Sequence, residues 1–206
     1  MFKLHELSLK NLFKYNASII TSKSFFLQIQ DSDAEFIVNL RQGEKGLFLR
    51  KGAQNVDDQK KYLRQYEQRF KSGDEIYYKV INRTNNKPEA LVRLTEIKQG
   101  RKFNWESLIS IPNSDPSIPL DIMMTIYSIG FSYLHKEVCG PWDVHKDSKA
   151  IQRLHVLTGM AKPISEDQKY LHYQVCIDDF NSQYPKFKKF GFGLIEGISL
   201  DLNYAI

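Results

Sequence analysis

The spacing of apolar and polar positions changes period several times along the chain. A short apolar run at 25–29 predicts a first strand. Asp31 or Ser32 is suited to cap a helix that Ala34, Ile37, Val38 and Arg41 continue, with acids in its first turn and Gly43 and Gly46 to stop it. Asp57 or Asp58 opens a second helix, in which Tyr62, Tyr66 and Phe70 recur at four-residue spacing until Ser72-Gly73 closes it. Three β-rich runs follow at 76–81, 90–97 and 103–111. They are separated by turn-forming residues at 85–88 and 99–101, which predicts an antiparallel meander.

The pattern then alters. Residues 112–119 form a Pro-containing loop, with Pro119 suited to the first helical position. Residues 122–134 are apolar almost all round, as in a buried helix. A strand is predicted around 142–145, an amphipathic helix from about 148 to 157 ended by Thr158-Gly159, and a last strand at 171–177. Residues 1–24 are open between a short strand and a helix, and 178–206 read as an aromatic tail. The order β-α-α-β-β-β-α-β-α-β predicts an α/β fold (an α+β mixed sheet) in one domain spanning 1–206, an antiparallel meander followed by a βαβ unit.

Composition narrows the function classes. The net charge of +5 comes from 29 basic and 24 acidic residues that are interspersed, so no nucleic-acid partner is expected. Cys139 and Cys176 do not form a CxxC pair and read as free thiols. No secretory leader pattern opens the chain, and the apolar run at 122–134 is too short to span a bilayer and carries Thr125, Ser128 and Ser132. A soluble cytoplasmic protein with no membrane partner is the expectation. No Gly-x-Ser-x-Gly elbow, P-loop or dinucleotide fingerprint occurs, which argues against hydrolase, NTPase and dehydrogenase chemistry. His135 and His145 lack a third ligand at metal-site spacing, so no metal is expected.

One stretch carries a resemblance. Val144 ends a strand, Ser148 follows four residues on, Ala150-Ile151 opens the helix, His155 lies within it, and Gly159-Met160 closes it. This spacing is similar to the second half of the GNAT acetyltransferases, with Ser148 at the family's Asn position, His155 at its Tyr position and Gly159-Met160 at its Gly-Phe pair. Residues 31–41, DSDAEFIVNLR, resemble the family's opening helix, so that the likeness covers 25–177. It implies splayed central strands, acetyl-CoA as donor co-substrate, and direct attack by an amine acceptor. CoA, with its phosphates, also suits a mildly basic chain. A narrower likeness to members that modify nucleotide-linked amino sugars rests on the Pro-containing loop, on a His in the later helix, and on Tyr184, Phe187 and Phe190 in the tail. It implies an amino-sugar acceptor among small-molecule amines.

The departure is at 114–119, Ser-Asp-Pro-Ser-Ile-Pro, where the family has a Gly-rich turn whose amides meet the CoA pyrophosphate. Here there is no Gly, two prolines lack an N–H, and Asp115 and Asp121 bring negative charge. The amides of Ser117, Ile118, Leu120 and Asp121 remain as candidates at the helix N-terminus. The resemblance puts the pantetheine arm on the backbone edge 107–111, with Ile109 and Ile111 as contacts, and gives Ser148 a further hydrogen bond to it. It makes His155 the general acid for the departing thiolate and Glu106 the base for the amine. The alternatives are a His155 packed against Trp142 or Met160, a Glu106 exposed or paired with a cation, and a Ser148 that merely caps its helix. Arg93 and Trp105 are candidate acceptor contacts. The rival reading is a non-catalytic GNAT-like module that has lost acetyl-CoA binding. The aromatic tail offers a surface for a homodimer.

Overall fold

In the computed structural model, residues 17–98 and 100–199 are described. The first described elements are β1 (Ser18–Thr21) and β2 (Ser24–Gln28), a hairpin whose second strand matches the expected one and whose first falls in the segment left open between a short strand and a helix. Two helices follow, α1 (Ala34–Gln42) and α2 (Val56–Lys71), joined by a segment containing a short 3-10 turn at Glu44–Phe48. The helix stops at Gly43 as expected, and the side chain that caps α2 is Asn55, which accepts from the Asp58 amide at 2.8 Å. The four-residue spacing of α2 buries Tyr66 and Phe70, and the Tyr66 hydroxyl accepts from both Gln28 Nε2 and the Tyr77 amide at 3.0 Å. That pair of bonds ties α2 to the sheet beneath it.

The meander is β3 (Ile76–Asn82), β4 (Lys87–Thr95) and β5 (Lys102–Ser110), paired antiparallel in sequence order. After it come α3 (Ser117–Tyr127), β6 (Val138–His145), α4 (Lys149–Thr158), β7 (Lys162–Glu166), β8 (Tyr170–Cys176), α5 (Ile177–Lys188) and β9 (Ile195–Ser199). The nine strands lie in the order β7-β8-β6-β5-β4-β3-β2-β1-β9. Among the described strands only β5 and β6 run parallel, connected through α3, so the mixed α/β sheet of the sequence reading is present.

Several boundaries differ from expectation for physical reasons. Helix α3 starts at Ser117, which puts Pro119 third in the helix rather than first; Pro is tolerated there because first-turn amides have no intrahelical acceptor. The apolar run does bury all round, but its second half, Ser128–Tyr133, is a π-type turn. Gly130 allows that turn to reach the sheet, since a Cβ there would lie 2.1 Å from the Phe103 ring. The tail is not an appendage. Helix α5 forms despite Pro185, Phe180 and Tyr184 stack on one another within it, and β9 completes the sheet beside β1. Strand β7 escaped the pattern because all five of its residues are exposed and no apolar alternation marks it.

The side chain of Asp121 has a structural role. It is fully buried in α3, and its carboxylate accepts from Thr21 Oγ1 at 2.8 Å and from the Gly193 amide at 2.9 Å. Burial raises its pKa, while these two donors act in the opposite sense. One carboxylate thus joins β1, α3 and the turn before β9. Asp121→Ala strands two buried donors and should destabilise the fold by about 2–4 kcal/mol. Equilibrium urea unfolding, read as a lower midpoint at unchanged slope, checks this.

Candidate active site

Strands β5 and β6 are paired at Lys102↔Val138 and Phe103↔Cys139 and then part. One further tie, from Asn104 Nδ2 to the Pro141 carbonyl at 2.9 Å, marks the apex of the split. Beyond it opens a cleft of about 1180 Å³, walled by 104–110 of β5, 141–145 of β6, the start of α4, the loop 112–119 and the segment 41–53 between α1 and α2. Opposite Val92 the β4–β5 register slips, so that Glu106 faces Arg93 and Ile109 faces Leu91. Two residues, Ser107 and Leu108, therefore oppose one. Ser107 takes a left-handed conformation (φ 57°) within this bulge, which faces the cleft.

The ladder sets which backbone groups of β5 face the open edge. The Ile111 amide donates to the Glu89 carbonyl at 2.8 Å, and in an antiparallel pair such bonded positions alternate. Ile109, opposite Leu91, is thus also turned toward β4, and the groups offered to the open edge are those of Leu108 and Ser110. The Ile111 carbonyl is taken as well, by Lys45 Nζ at 2.8 Å.

The loop ahead of α3 is likewise committed internally. Asp115 Oδ1 accepts from the Ser117 amide at 2.8 Å, and the Asp115 carbonyl accepts from the Ile118 amide at 3.0 Å. The bond from the Ser117 amide, with one from the Ser117 side chain, holds the Asp115 carboxyl below its ordinary range, so it is ionised. Ile118 and Leu120 are buried in the core, and the loop residues that line the cleft are Ser114, Pro116 and Pro119. Two of the four amides expected at this helix start, those of Ser117 and Ile118, are thus committed to Asp115.

Glu106 and Arg93 come together on the face of the sheet covered by α1 and α2. Arg93 Nη2 meets Glu106 Oε2 at 2.5 Å, and Nη1 meets Glu75 Oε1 at 3.2 Å and the Tyr62 hydroxyl. Glu106 is thus the paired carboxylate of the two alternatives, with its side chain still 46% exposed to the cleft. Trp105, next in the strand, turns to the other face and packs on Trp142 at 5.1 Å between ring centres, so Arg93 and Trp105 do not share a wall.

His155 lies beneath that pair of indoles. It is 1% exposed, with Trp142 at 5.5 Å and Tyr173 at 4.5 Å, and is not among the cleft-lining residues. Neither ring nitrogen has a hydrogen-bond partner among the described residues, and burial pushes its pKa down to about 4. The imidazole is therefore neutral at pH 7. Ser148 does line the cleft and stands at the N-cap of α4, but its side chain makes no cap bond.

Sequence reasoning did not single out the cations of the segment 41–53. Arg41 donates to Ser107 Oγ at 3.3 Å and to the Arg50 carbonyl at 2.7 Å, and Lys45 Nζ donates to Ser110 Oγ at 2.8 Å. Arg50 reaches across to Asp143 on β6 at 2.5 Å, and Asp143 is bonded in turn to His172 Nδ1 at 2.9 Å. The available signal was four basic residues, Arg41 in the last turn of the first helix and Lys45, Arg50 and Lys51 in the Gly-containing connection after it. Among the described residues, no group of three or more His, Cys, Asp or Glu is placed to hold a metal ion.

No family model and no curated protein matches the chain. Solved structures do. A nucleotide-linked sugar GNAT, FdhC in its apo form, superposes with a TM-score of 0.74 at 23% identity, over 84% of this chain and 98% of that one. The ribosomal-protein-S5-alanine acetyltransferase from Vibrio fischeri gives 0.64 at 13% identity, over 79% and 97%. A spermidine N-acetyltransferase chimera of Vibrio cholerae SpeG and hSSAT gives 0.63 at 13% identity, over 78% and 99%. The fold is that of the GNAT acetyltransferases.

The buried imidazole makes stability pH-dependent. Its folded pKa of about 4 lies below the unfolded value of 6.5, so the unfolded state binds the proton first. The contribution is nil above pH 6.5 and grows more unfavourable down to pH 4, reaching about 3 kcal/mol. Urea unfolding at pH 7 and pH 4.5 should show this loss in the wild type, and His155→Phe should remove most of the pH-dependent part.

Proposed function

We propose that the chain is an N-acetyltransferase that transfers the acetyl group of acetyl-CoA to the amine of a nucleotide-linked amino sugar by direct attack. The observation that carries the reading is the split between β5 and β6 with the Ser107–Leu108 bulge at its side. An extended thioester arm can lie along the edge presented by Leu108 and Ser110, and Ser148 faces it from α4. In the reaction the amine nitrogen bonds to the acetyl carbon, the C–S bond breaks, and the amine proton must leave.

Glu106 is the proton acceptor in this reading. Arg93 orients its carboxylate, while Glu75 shares the guanidinium, so Glu106 does not hold that cation alone. His155, neutral and enclosed, is a positioning residue that sets the Trp105–Trp142 floor rather than the acid expected of it. The departing thiolate then takes its proton from water at the cleft mouth.

The acceptor wall favours an anionic molecule that carries an amine. Arg41, Arg50 and Lys51 line it together with Glu106 and Asp143. A polyamine would meet like charge there, whereas the diphosphate of a sugar nucleotide finds guanidinium groups suited to it. The nucleotide-linked sugar GNAT among the structural neighbours is in keeping with this. One observation favours the non-catalytic rival: Asp115 occupies the amides that would otherwise bind pyrophosphate.

Calorimetric titration with acetyl-CoA, followed by turnover assays on nucleotide amino sugars and on spermidine, separates the two. The expected outcome is saturable binding, activity on the nucleotide sugar, and little on spermidine. Glu106→Gln should lower kcat by about a hundredfold and leave acetyl-CoA affinity within about twofold. Absence of acetyl-CoA binding would install the module reading instead.

A further inference from the structure

The donor's diphosphate needs a cationic or N–H-rich partner at the mouth of the cleft, and the loop expected to supply it spends two of its amides internally. Ser117 and Ile118 spend their amides on Asp115, Pro116 and Pro119 have none, and Asp115 adds a negative charge. Only one ammonium group bonded to the end of β5 is found among the described residues. Lys45, on the 3-10 turn between α1 and α2, lines the cleft with Nζ 2.8 Å from both Ser110 Oγ and the Ile111 carbonyl.

We infer that Lys45 takes the place of the amide cradle and binds the diphosphate of the acyl donor, so that the donor is held by a side chain from the acceptor-side segment. The inference rests on the acetyl-CoA reading above. Three features support it. Lys45 is fixed by two neutral oxygens and by no carboxylate, so its charge is not cancelled. It stands where the cleft-facing backbone of Leu108 and Ser110 gives way to the loop, which is where an arm laid along that edge would place its phosphates. Of the segment's four cations, Lys45 is the one bonded at Ser110 and Ile111: Arg41 is bonded at Ser107 and the Arg50 carbonyl, Arg50 at Asp143, and Lys51 lines the cleft without a bond to this end of β5.

The acceptor reading also contains a diphosphate, so the test must tell the two apart. Affinities of wild type, Lys45→Gln and Lys45→Arg would be measured for acetyl-CoA, for S-acetylpantetheine, which lacks the diphosphate, and for a nucleotide amino sugar. Lys45→Gln should weaken acetyl-CoA by about tenfold or more and leave the other two within about threefold. Lys45→Arg should retain acetyl-CoA binding, which guards against a merely structural loss in the Gln variant. Equal weakening of both thioesters, or tighter binding of both, would make Lys45 a packing residue or a plug and overturn the inference. Selective loss of the nucleotide sugar would move Lys45 to the acceptor and overturn it too. A wild type that binds neither thioester brings down the acyltransferase reading itself, an outcome seen before any variant is made.

Discussion

Two residue pairs hold β5 to β6, and the backbone beyond them has no strand to pair with on that side. Peptide groups left without partners are costly wherever water is excluded, so a sheet tolerates such a split only if something holds it open and something else can satisfy the edge. Here the wedge is aromatic. Trp105 and Trp142 project from the two diverging strands and meet at 5.1 Å, with His155 and Tyr173 packed behind them. The stack fills the space between the diverging strands, and the polar edge of β5 faces the cleft.

The same split divides the electrostatics. On the α3–α4 side the groups near the apex are aromatic and uncharged, and an imidazole there is held neutral by burial alone. On the α1–α2 side the charges alternate through Arg69, Glu75, Arg93 and Glu106, each bonded to the next. A network of this kind fixes the position of Glu106 without neutralising it by a dedicated partner. Two environments of opposite polarity thus meet at the Ser107–Leu108 bulge.

Periodicity made the frame legible. The meander, the all-round apolar helix at α3 and the α4 stretch carry strong local patterns, and their elements stand where the pattern puts them to within a few residues. Elements whose residues serve no single face were hidden: β7 is exposed throughout, and α5 contains a proline that argues against a helix. The site was less legible for a related reason. Choosing between Ile109 and Leu108 depends on hydrogen-bond parity across β4, which a sequence does not state. Asp115 and Asp121 read as charges at a helix start, while their actual partners, the Ser117 amide, Thr21 and Gly193, depend on turn geometry and on contacts as distant as 100 residues. His155 matched a catalytic position by spacing, and only its depth beneath two indoles reveals its neutrality.

Strand β1 pairs with β9, so Ile19 sits opposite Ile198 across almost the whole described chain. Contacts of such separation form late, because the loop to be closed is long and nothing local favours the pairing. Until β9 arrives, β1 presents a bare strand edge, and the Asp121 carboxylate lacks the Gly193 amide that completes its shell. A nascent chain would therefore hold a finished meander and cleft while one margin of its sheet stayed open to other strands. The order of folding, rather than the cleft, is where this architecture is most exposed to misassembly.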